Sequence, residues 1–342
     1  MRFIGSKANL IDEILAAVNE RSPKSVSFCD LFAGTGIVGR SFKKSHKIIS
    51  NDLMYFSFVI NSAYIGLKNS PAFSSLKKEL GSHPIDYLND LSVNVETISD
   101  KDFVTCNYSP AEGNERCYLT VENALHIDRA RQLMNTWRDS GLISQGEFFY
   151  LLTSLVEEVP SVSNIAGTYG AYLKNWDKRA FNNIRLNKLE IVKSAKKNEI
   201  YNMDANELIT KISGEVLYID TPYNGRQYSS NYHLLETVAK YDNPELKGVT
   251  GLRADKSGES DYCRKGKVYD SFDHLFKNTD FETIVVSYSS DGLLGEDDLT
   301  NLLTEHFDSS TLNFKKVPYR RYKRLANDER PHVLEYLIVI NK

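Results

Sequence analysis

The sequence has no long apolar run, no paired-cysteine motif and no excess of charge of either sign, and each absence removes a class of protein. No stretch approaches the ~18 apolar residues that a membrane-spanning helix needs, so no membrane association is expected. Asp12 and Glu13 interrupt the apolar character of the N-terminal segment, so no secretory leader is expected there. Four cysteines, Cys29, Cys106, Cys117 and Cys263, are scattered, with no CxxC spacing and no histidine at zinc-ligand spacing. This argues against a disulfide scaffold or a structural zinc site; no metal is expected, and the thiols read as reduced side chains of a cytoplasmic protein. With 42 basic against 45 acidic residues, a formal net charge of -3, the chain is not a whole-surface binder of nucleic acid. Any such surface has to come from local clustering of charge.

What is present is ordinary globular material. At ~150 residues per domain, 342 residues leave room for two domains, or for one large domain carrying an insertion. Val26 to Phe32 reads as a short buried strand, stopped by Ala-Gly-Thr-Gly, and Ile37 to Lys44 has helical character. Lys47 to Asp52 is a second strand, and Met54 to Gly66 returns to a helix. Strand, glycine turn, helix, strand is a βαβ unit, which predicts a parallel sheet with right-handed crossovers. Further strands are expected at Val216–Asp220, Thr283–Tyr288 and Val333–Ile340, so the sheet draws on both ends of the sequence. Between about residue 68 and about residue 198 strand–helix alternation stops. That stretch holds helical pieces at Ala124–Asp139 and Glu147–Glu158 and a polar loop from Val162 to Tyr169, and reads as a mostly helical insertion.

Asp30-Leu-Phe-Ala-Gly34-Thr-Gly36-Ile-Val-Gly39 places GxGxxG directly after a strand, with Asp52 ending the next one. Glycines allow a sharp turn and close approach of a ligand, and an acid at the end of the second strand can accept hydrogen bonds from ribose hydroxyls. Asp30 precedes the first glycine, where a dinucleotide would bring a diphosphate to a helix N-terminus and be repelled by a carboxylate. S-adenosylmethionine has no phosphate and carries an ammonium and a sulfonium, so a carboxylate there suits it. The segment therefore favours the methyl donor over a nicotinamide cofactor.

Asp220-Thr221-Pro222-Tyr223 follows the strand at 216–219, at the carboxyl end where open α/β sheets bind their ligands. Together with the glycine loop, this tetrapeptide resembles that of the amino-methyltransferases of DNA, whose acceptor is an exocyclic amine, a poor nucleophile because its lone pair is delocalised into the ring. The Asp220 carboxylate and the main-chain carbonyl of Thr221 can each accept one amino hydrogen, which frees that lone pair for attack on a sulfonium methyl. Pro222 stiffens the turn, and Tyr223 offers a ring on which an extruded base stacks. C5-cytosine methylation needs a cysteine after a proline; the residues before the four cysteines are Phe28, Thr105, Arg116 and Tyr262, so that chemistry is excluded.

With these residues in hand, the chain resembles the alpha group of N6-adenine DNA methyltransferases, which takes in Dam-type enzymes and the modification enzymes paired with restriction endonucleases. The order of donor loop, long insertion and catalytic tetrapeptide is that of the group, whose usual motif is (D/N/S)PP(Y/F); Thr221 stands here in place of its first proline. Phe3-Ile-Gly-Ser-Lys7 is similar to the motif whose lysine contacts the carboxylate end of S-adenosylmethionine, and Asp30 to Gly36, with Phe32, to the donor loop. Asp52 resembles the ribose-binding acid. Asp204, in Tyr201-Asn-Met-Asp204, resembles the acid that contacts the donor's adenine amino group. The resemblance implies an α/β fold: a Rossmann-like methyltransferase sheet in residues 1–67 and 198–342, with a target-recognition insertion in 68–197. It also implies that duplex DNA is the partner, with a cognate restriction endonuclease in the same system; a monomer is adequate for one asymmetric methyl transfer and is expected.

Gly167 to Lys174, followed by Trp176 and Arg179, looks like a segment of the restriction-associated members, as do Asn224 to Tyr228 and Asn231 to His233. Tyr169, Lys174, Arg179, Asn224, Arg226 and Tyr228 are therefore expected to contact DNA. Two basic segments support this: Lys174–Glu199 has eight Lys/Arg against three acids, and Lys315–Arg330 seven against two. Both are interleaved with aromatics (Tyr172, Trp176 and Phe181; Tyr319 and Tyr322), the mixture that backbone neutralisation and base stacking use. The polar, glycine-containing stretch Asp242–Lys267 is expected to be a mobile loop near the DNA. The expected function is site-specific adenine-N6 methylation of DNA. Cytosine N4 or an RNA adenine as acceptor, a nicotinamide-dependent oxidoreductase and a catalytically silent DNA-binding relic are the rival readings.

Overall fold

The computed structural model describes residues 5–319 and 333–342, which divide into two compact units. A sheet unit comprises 7–53, 196–227 and the described residues from 259 onward; a helical unit comprises 54–195 and 228–258 together with residues 5–6.

The sheet unit is built on seven strands: β1 (Ser27–Asp30), β2 (Lys47–Asn51), β3 (Glu199–Tyr201), β4 (Ser213–Ile219), β5 (Asp280–Ser289), β6 (Asn313–Tyr319) and β7 (Val333–Asn341). Their order across the sheet is β3-β2-β1-β4-β5-β7-β6. β3, β2, β1, β4 and β5 pair in parallel, whereas β7 runs antiparallel to both β5 and β6. This is the expected α/β, Rossmann-like methyltransferase sheet. The central strands are largely buried because both faces are covered, and runs such as Val216–Ile219 and Ile284–Val286 are apolar or aromatic. Leu217 and Ile219, Ile284 and Val286, and Ile338 and Ile340 lie in one cluster with side chains from the helices Val268–Lys277 and Glu296–His306. Across the sheet, Phe28 of β1 stacks on Phe42 of the helix Ile37–Phe42, with ring centroids 4.0 Å apart.

Two strands of this sheet were not foreseen, each for its own reason. β3 is three residues long, and β6 carries Lys315, Lys316 and Pro318 at the open edge of the sheet. Lysines and proline are how edge strands avoid pairing with other chains, and they also make such strands read as loops.

In the helical unit, Val121–Asp139 and Gln145–Glu158 are longer at their starts than the apolar pattern alone indicates, because the caps lie upstream. Thr120 accepts from the Asn123 N–H, and Ser144 and Glu147 form a reciprocal capping box. The unit also takes in residues 54–67 and 228–258, outside the 68–197 expected for an insertion. The physical reason is apolar packing: the helix Tyr55–Asn61 and the helix His233–Lys240 bury Phe56, Val59, Ile60, Leu234, Leu235 and Val238 in the same core as Leu151, Leu152 and Leu155.

The stretch from Asp242 contains a tied-down hairpin rather than the loose loop expected. Leu246–Lys247 pairs antiparallel with Leu252–Arg253, and Arg253 grips Asp242 through two hydrogen bonds of 2.8 and 2.7 Å. At the tip, the carbonyls of Gly248 and Val249 accept from Arg116, that of Thr250 from Tyr118 and that of Gly251 from Tyr108. Val249, between these anchored carbonyls, is 73% exposed.

None of the four cysteines is in a disulfide bond. Among the described residues no helix is long and apolar enough to cross a membrane, and no group of three or more His, Cys, Asp or Glu is arranged to hold a metal ion.

Candidate active site

The sheet order reverses between β1 and β4, which is where an open α/β sheet leaves a crevice beyond its carboxyl ends. Asp30, the last residue of β1, stands opposite Tyr218 of β4, and Asp220 is the residue that follows β4. Register alone therefore sets two of the expected acids beside this crevice.

Beyond β1 the chain turns on Gly34 (φ 51°) and Gly36 (φ 72°), left-handed conformations that any side chain would strain. The turn is held from both sides. The Asp52 carboxylate accepts from the Gly34 N–H at 2.8 Å, and Asp30 accepts from the Gly39 N–H at 3.0 Å inside the helix Ile37–Phe42. Asp30 is buried, and burial pushes its carboxyl up to about 7; the Gly39 N–H opposes this, while Asp220 and Asp52 add to it. A buried acid with two acidic neighbours is a place for a cation. The phenyl ring of Phe32 meets Tyr262 edge-on at 5.0 Å. Asp204 caps the helix Ala205–Leu208 through the Asn206 and Glu207 N–H groups.

At the tetrapeptide 220–223, Lys7 Nζ donates to Asp220 Oδ1 at 2.7 Å and lies 3.2 Å from Glu335 Oε1. The lysine that the resemblance assigns to the donor's carboxylate end is thus engaged by two carboxylates of the protein. Burial alone would lower its affinity for the proton, but Asp220 and Glu335 outweigh burial and hold the ammonium well above the usual lysine range. Burial pushes Asp220 up to about 6; Lys7 pulls it down and Glu335 pushes it up. The Asp220 side chain keeps 15% of its surface open, and only Oδ1 is hydrogen-bonded within the described residues. Thr221 is buried, and its hydroxyl has no hydrogen-bond partner among the described residues. Tyr223 is half-buried, edge-on to Tyr288 with ring centroids 6.3 Å apart, and its carbonyl accepts from the Leu293 N–H. The ammonium of Lys7 lies 5.5 Å from its ring centroid.

Sequence reasoning missed the residues that brace this site. The Asn51 amide donates to the carbonyls of Leu31 and Met203 and accepts from the Met203 N–H, tying together the loops after β1 and β3. Tyr262 donates to Asn206 and to the Ser271 carbonyl, which fixes the ring against Phe32. Glu335 and Ser287, on β7 and β5, had no local signal, since a polar residue in a strand ordinarily reads as solvent-facing.

The residues expected at DNA divide into surface and core. Lys174 is exposed; Arg179 is exposed but paired with Asp177 at 2.8 Å and donating to the Ile165 carbonyl at 3.1 Å. Beside them Phe181 is 63% exposed and packs on Trp176 at 5.5 Å. Tyr169 is in the core: its ring is buried, its hydroxyl bonds Ser163, and its carbonyl accepts from Tyr118 and bonds His233. Its aromatic character serves packing, and its side chain presents no surface to a ligand. Asn224 accepts from the Arg226 N–H and Arg226 is exposed, both in the sheet unit; Tyr228 is half-buried against Tyr232 in the helical unit. Phe3 and Ile4 of the N-terminal motif, and residues 320–330 of the second basic segment with Tyr322, lie outside the described residues, as does the side chain of Tyr319.

Against known proteins, a family model described as D12 class N6 adenine-specific DNA methyltransferase matches residues 3–301. Type II methyltransferase M.FokI of Planomicrobium okeanokoites is 48% identical over 343 residues, covering 100% of this chain and 53% of that protein. Modification methylase StsI of Streptococcus sanguinis is 42% identical, covering 100% of this chain and 52% of its own length. The chain therefore spans about half the length of these two relatives. Type II methyltransferase M.NlaIII of Neisseria lactamica is 36% identical over 351 residues, covering 100% of this chain and 99% of that protein.

Proposed function

The chain belongs to the D12 class N6 adenine-specific DNA methyltransferases, and from that membership we propose that it methylates N6 of a target adenine in duplex DNA. The donor, S-adenosylmethionine, supplies an electrophilic methyl group on a sulfonium. We assign it to the crevice beyond β1, with Asp30, Phe32, Gly34, Gly36, Asp52 and Asp204 around it. The fit rests on Asp30, a buried carboxylate whose neighbours are acidic and which a cationic ligand relieves.

The observation that carries the reading is Asp220: a carboxylate at the switch point, bonded through one oxygen and open at the other. In this reading its Oδ2 and the Thr221 carbonyl accept the two amino hydrogens of a flipped adenine, and Tyr223 stacks on the base. Threonine in place of the family's proline leaves that carbonyl intact. Lys7 holds Asp220 in its ionised form. Direct transfer needs no metal and forms no covalent bond between enzyme and base. The helical unit is the proposed target-recognition element, with Lys174, Trp176 and Phe181 on its surface and Arg226, Asn224 and Tyr228 as further DNA contacts. A role as the modification enzyme of a restriction–modification system, in the cytoplasm and as a monomer, completes the proposal.

The test is transfer of isotopically labelled methyl from S-adenosylmethionine to unmethylated plasmid DNA, with the nucleosides separated by mass. Labelled N6-methyladenine is the expected product. Label on cytosine overturns the acceptor, and no label on DNA with label on RNA overturns the substrate. Failure to bind the donor overturns the whole reading.

A further inference from the structure

Glu335 lies on β7 opposite Ser289 of β5 and is 4% exposed. Its Oε1 accepts from Ser287 Oγ at 2.7 Å and lies 3.2 Å from Lys7 Nζ. A buried carboxylate in the middle of a sheet is costly, and the residues that follow it in the strand, Tyr336 to Ile340, show what packing alone selects there. Sheet stability therefore does not account for Glu335. Nor does the glycine loop, which is braced by Asp52 and Asp30.

We propose that Glu335 is a positioning residue for methyl transfer: it holds Lys7 on the Oδ1 side of Asp220 and shares the ammonium, so that Asp220 keeps an open oxygen of full accepting strength for the target amine. The inference rests on the reading of Asp220 as the acceptor of an amino hydrogen. Paired with Lys7 alone, Asp220 would belong to a neutral couple whose electron density is drawn toward the ammonium. With Glu335 present, the three groups carry one net negative charge. During transfer the bond from sulfur to methyl breaks and the bond from methyl to N6 forms. The sulfonium becomes a neutral thioether, and N6 carries the positive charge until it loses one amino proton to solvent. A net negative cluster on the amine side favours that movement of charge. Among the described residues, the other groups whose charge acts on this cluster include Asp30, with Asp52 acting on Asp30 in turn, and the phenols of Tyr218 and Tyr223.

The experiment uses E335Q, which keeps the shape and the hydrogen-bonding oxygen and removes the charge. Single-turnover methyl transfer to plasmid DNA is followed from about pH 5 to about pH 9 for wild type and variant, with donor affinity measured by calorimetry. The plateau rate is expected to fall roughly tenfold or more, with donor affinity unchanged within about twofold. Removing a negative neighbour makes Asp220 easier to ionise, so the acid limb of the profile moves to lower pH even as the plateau drops. A merely structural role lowers the folded fraction and leaves the plateau rate per folded molecule unchanged. E335D, which keeps the charge but withdraws it from Lys7, is expected to show an intermediate plateau with an unmoved limb, and decides the matter if E335Q does not fold. A wild-type plateau in E335Q or in E335D overturns the proposal. No transfer by the wild-type protein instead overturns the reading on which it rests.

Discussion

Lys7 and Asp220, 213 positions apart in the chain, meet through a 2.7 Å hydrogen bond between Nζ and Oδ1. The contact joins the residue that starts the sheet unit to the turn after its central strand, and it keeps a buried carboxyl in the form that accepts hydrogen bonds. Lys7→Met leaves Asp220 and Glu335 buried side by side without a counter-charge. The Asp220 carboxyl is then expected to rise above its present value of about 6, moving the acid limb of the transfer rate to higher pH. Urea unfolding is expected to show a loss of ~3 kcal/mol, since one member of a buried pair has been removed.

Asp220→Ala is expected to abolish turnover while leaving donor binding largely intact, because the donor loop is braced by other residues. Full activity in this variant sinks the mechanism. Tyr223→Ala is expected to weaken base capture by about 1–3 kcal/mol, the usual range for one stacked base. Near-wild-type kinetics on duplex DNA would count against the stacking role.

Asp30 titrates near neutrality because burial opposes its charge. A cationic donor binds the carboxylate form, so calorimetry is expected to show affinity rising as pH passes upward through about 7. In the protein without donor the sign is opposite. A carboxyl whose folded value is raised makes its contribution below its unfolded value, and that contribution is lost as pH rises through the folded value. Asp30→Asn is therefore expected to stabilise the unliganded protein at pH ~8 by up to ~2 kcal/mol and to remove the pH dependence of donor affinity. Thermal unfolding that shows the variant less stable at that pH contradicts this account.

Arg116 donates to two carbonyls at the tip of the hairpin that presents Val249. Arg116→Ala is expected to raise the amide-exchange rate across 246–253 by about tenfold or more while leaving exchange in the sheet unit unchanged. Unaltered exchange at Val249 and Thr250 would mean that the tyrosines alone fix the tip.

What the sequence made legible was local. Asp30 ends β1 and Asp220 follows β4, and each precedes a turn that only certain residues make, so motif and strand end could be read together. The helices at 121–139 and 145–158 were visible through their apolar faces, less their caps. What could not be read was set by pairing at a distance. Glu335 looks like any solvent-facing acid until β7 is placed next to β5, and Asn51 gains its meaning from the loop after β3. Tyr169 shows the converse: its neighbours suggested a ligand surface, but Ser163, Tyr118 and His233 enclose it. The 242–267 stretch read as loose because the anchors of its hairpin, Tyr108, Arg116 and Tyr118, lie more than a hundred residues earlier.

β7 is added late and is threaded between β5 and β6, and it brings the third member of a cluster whose first member is residue 7. In time rather than in space, this means that a nascent chain ending short of position 335 has a sheet with an uncovered β5, no partner for β6 and a lone ion pair in place of the shared one. Pairing over such separations is slow to form. The arrangement around Asp220 therefore cannot assemble before residue 335 has been made and β7 has paired with β5.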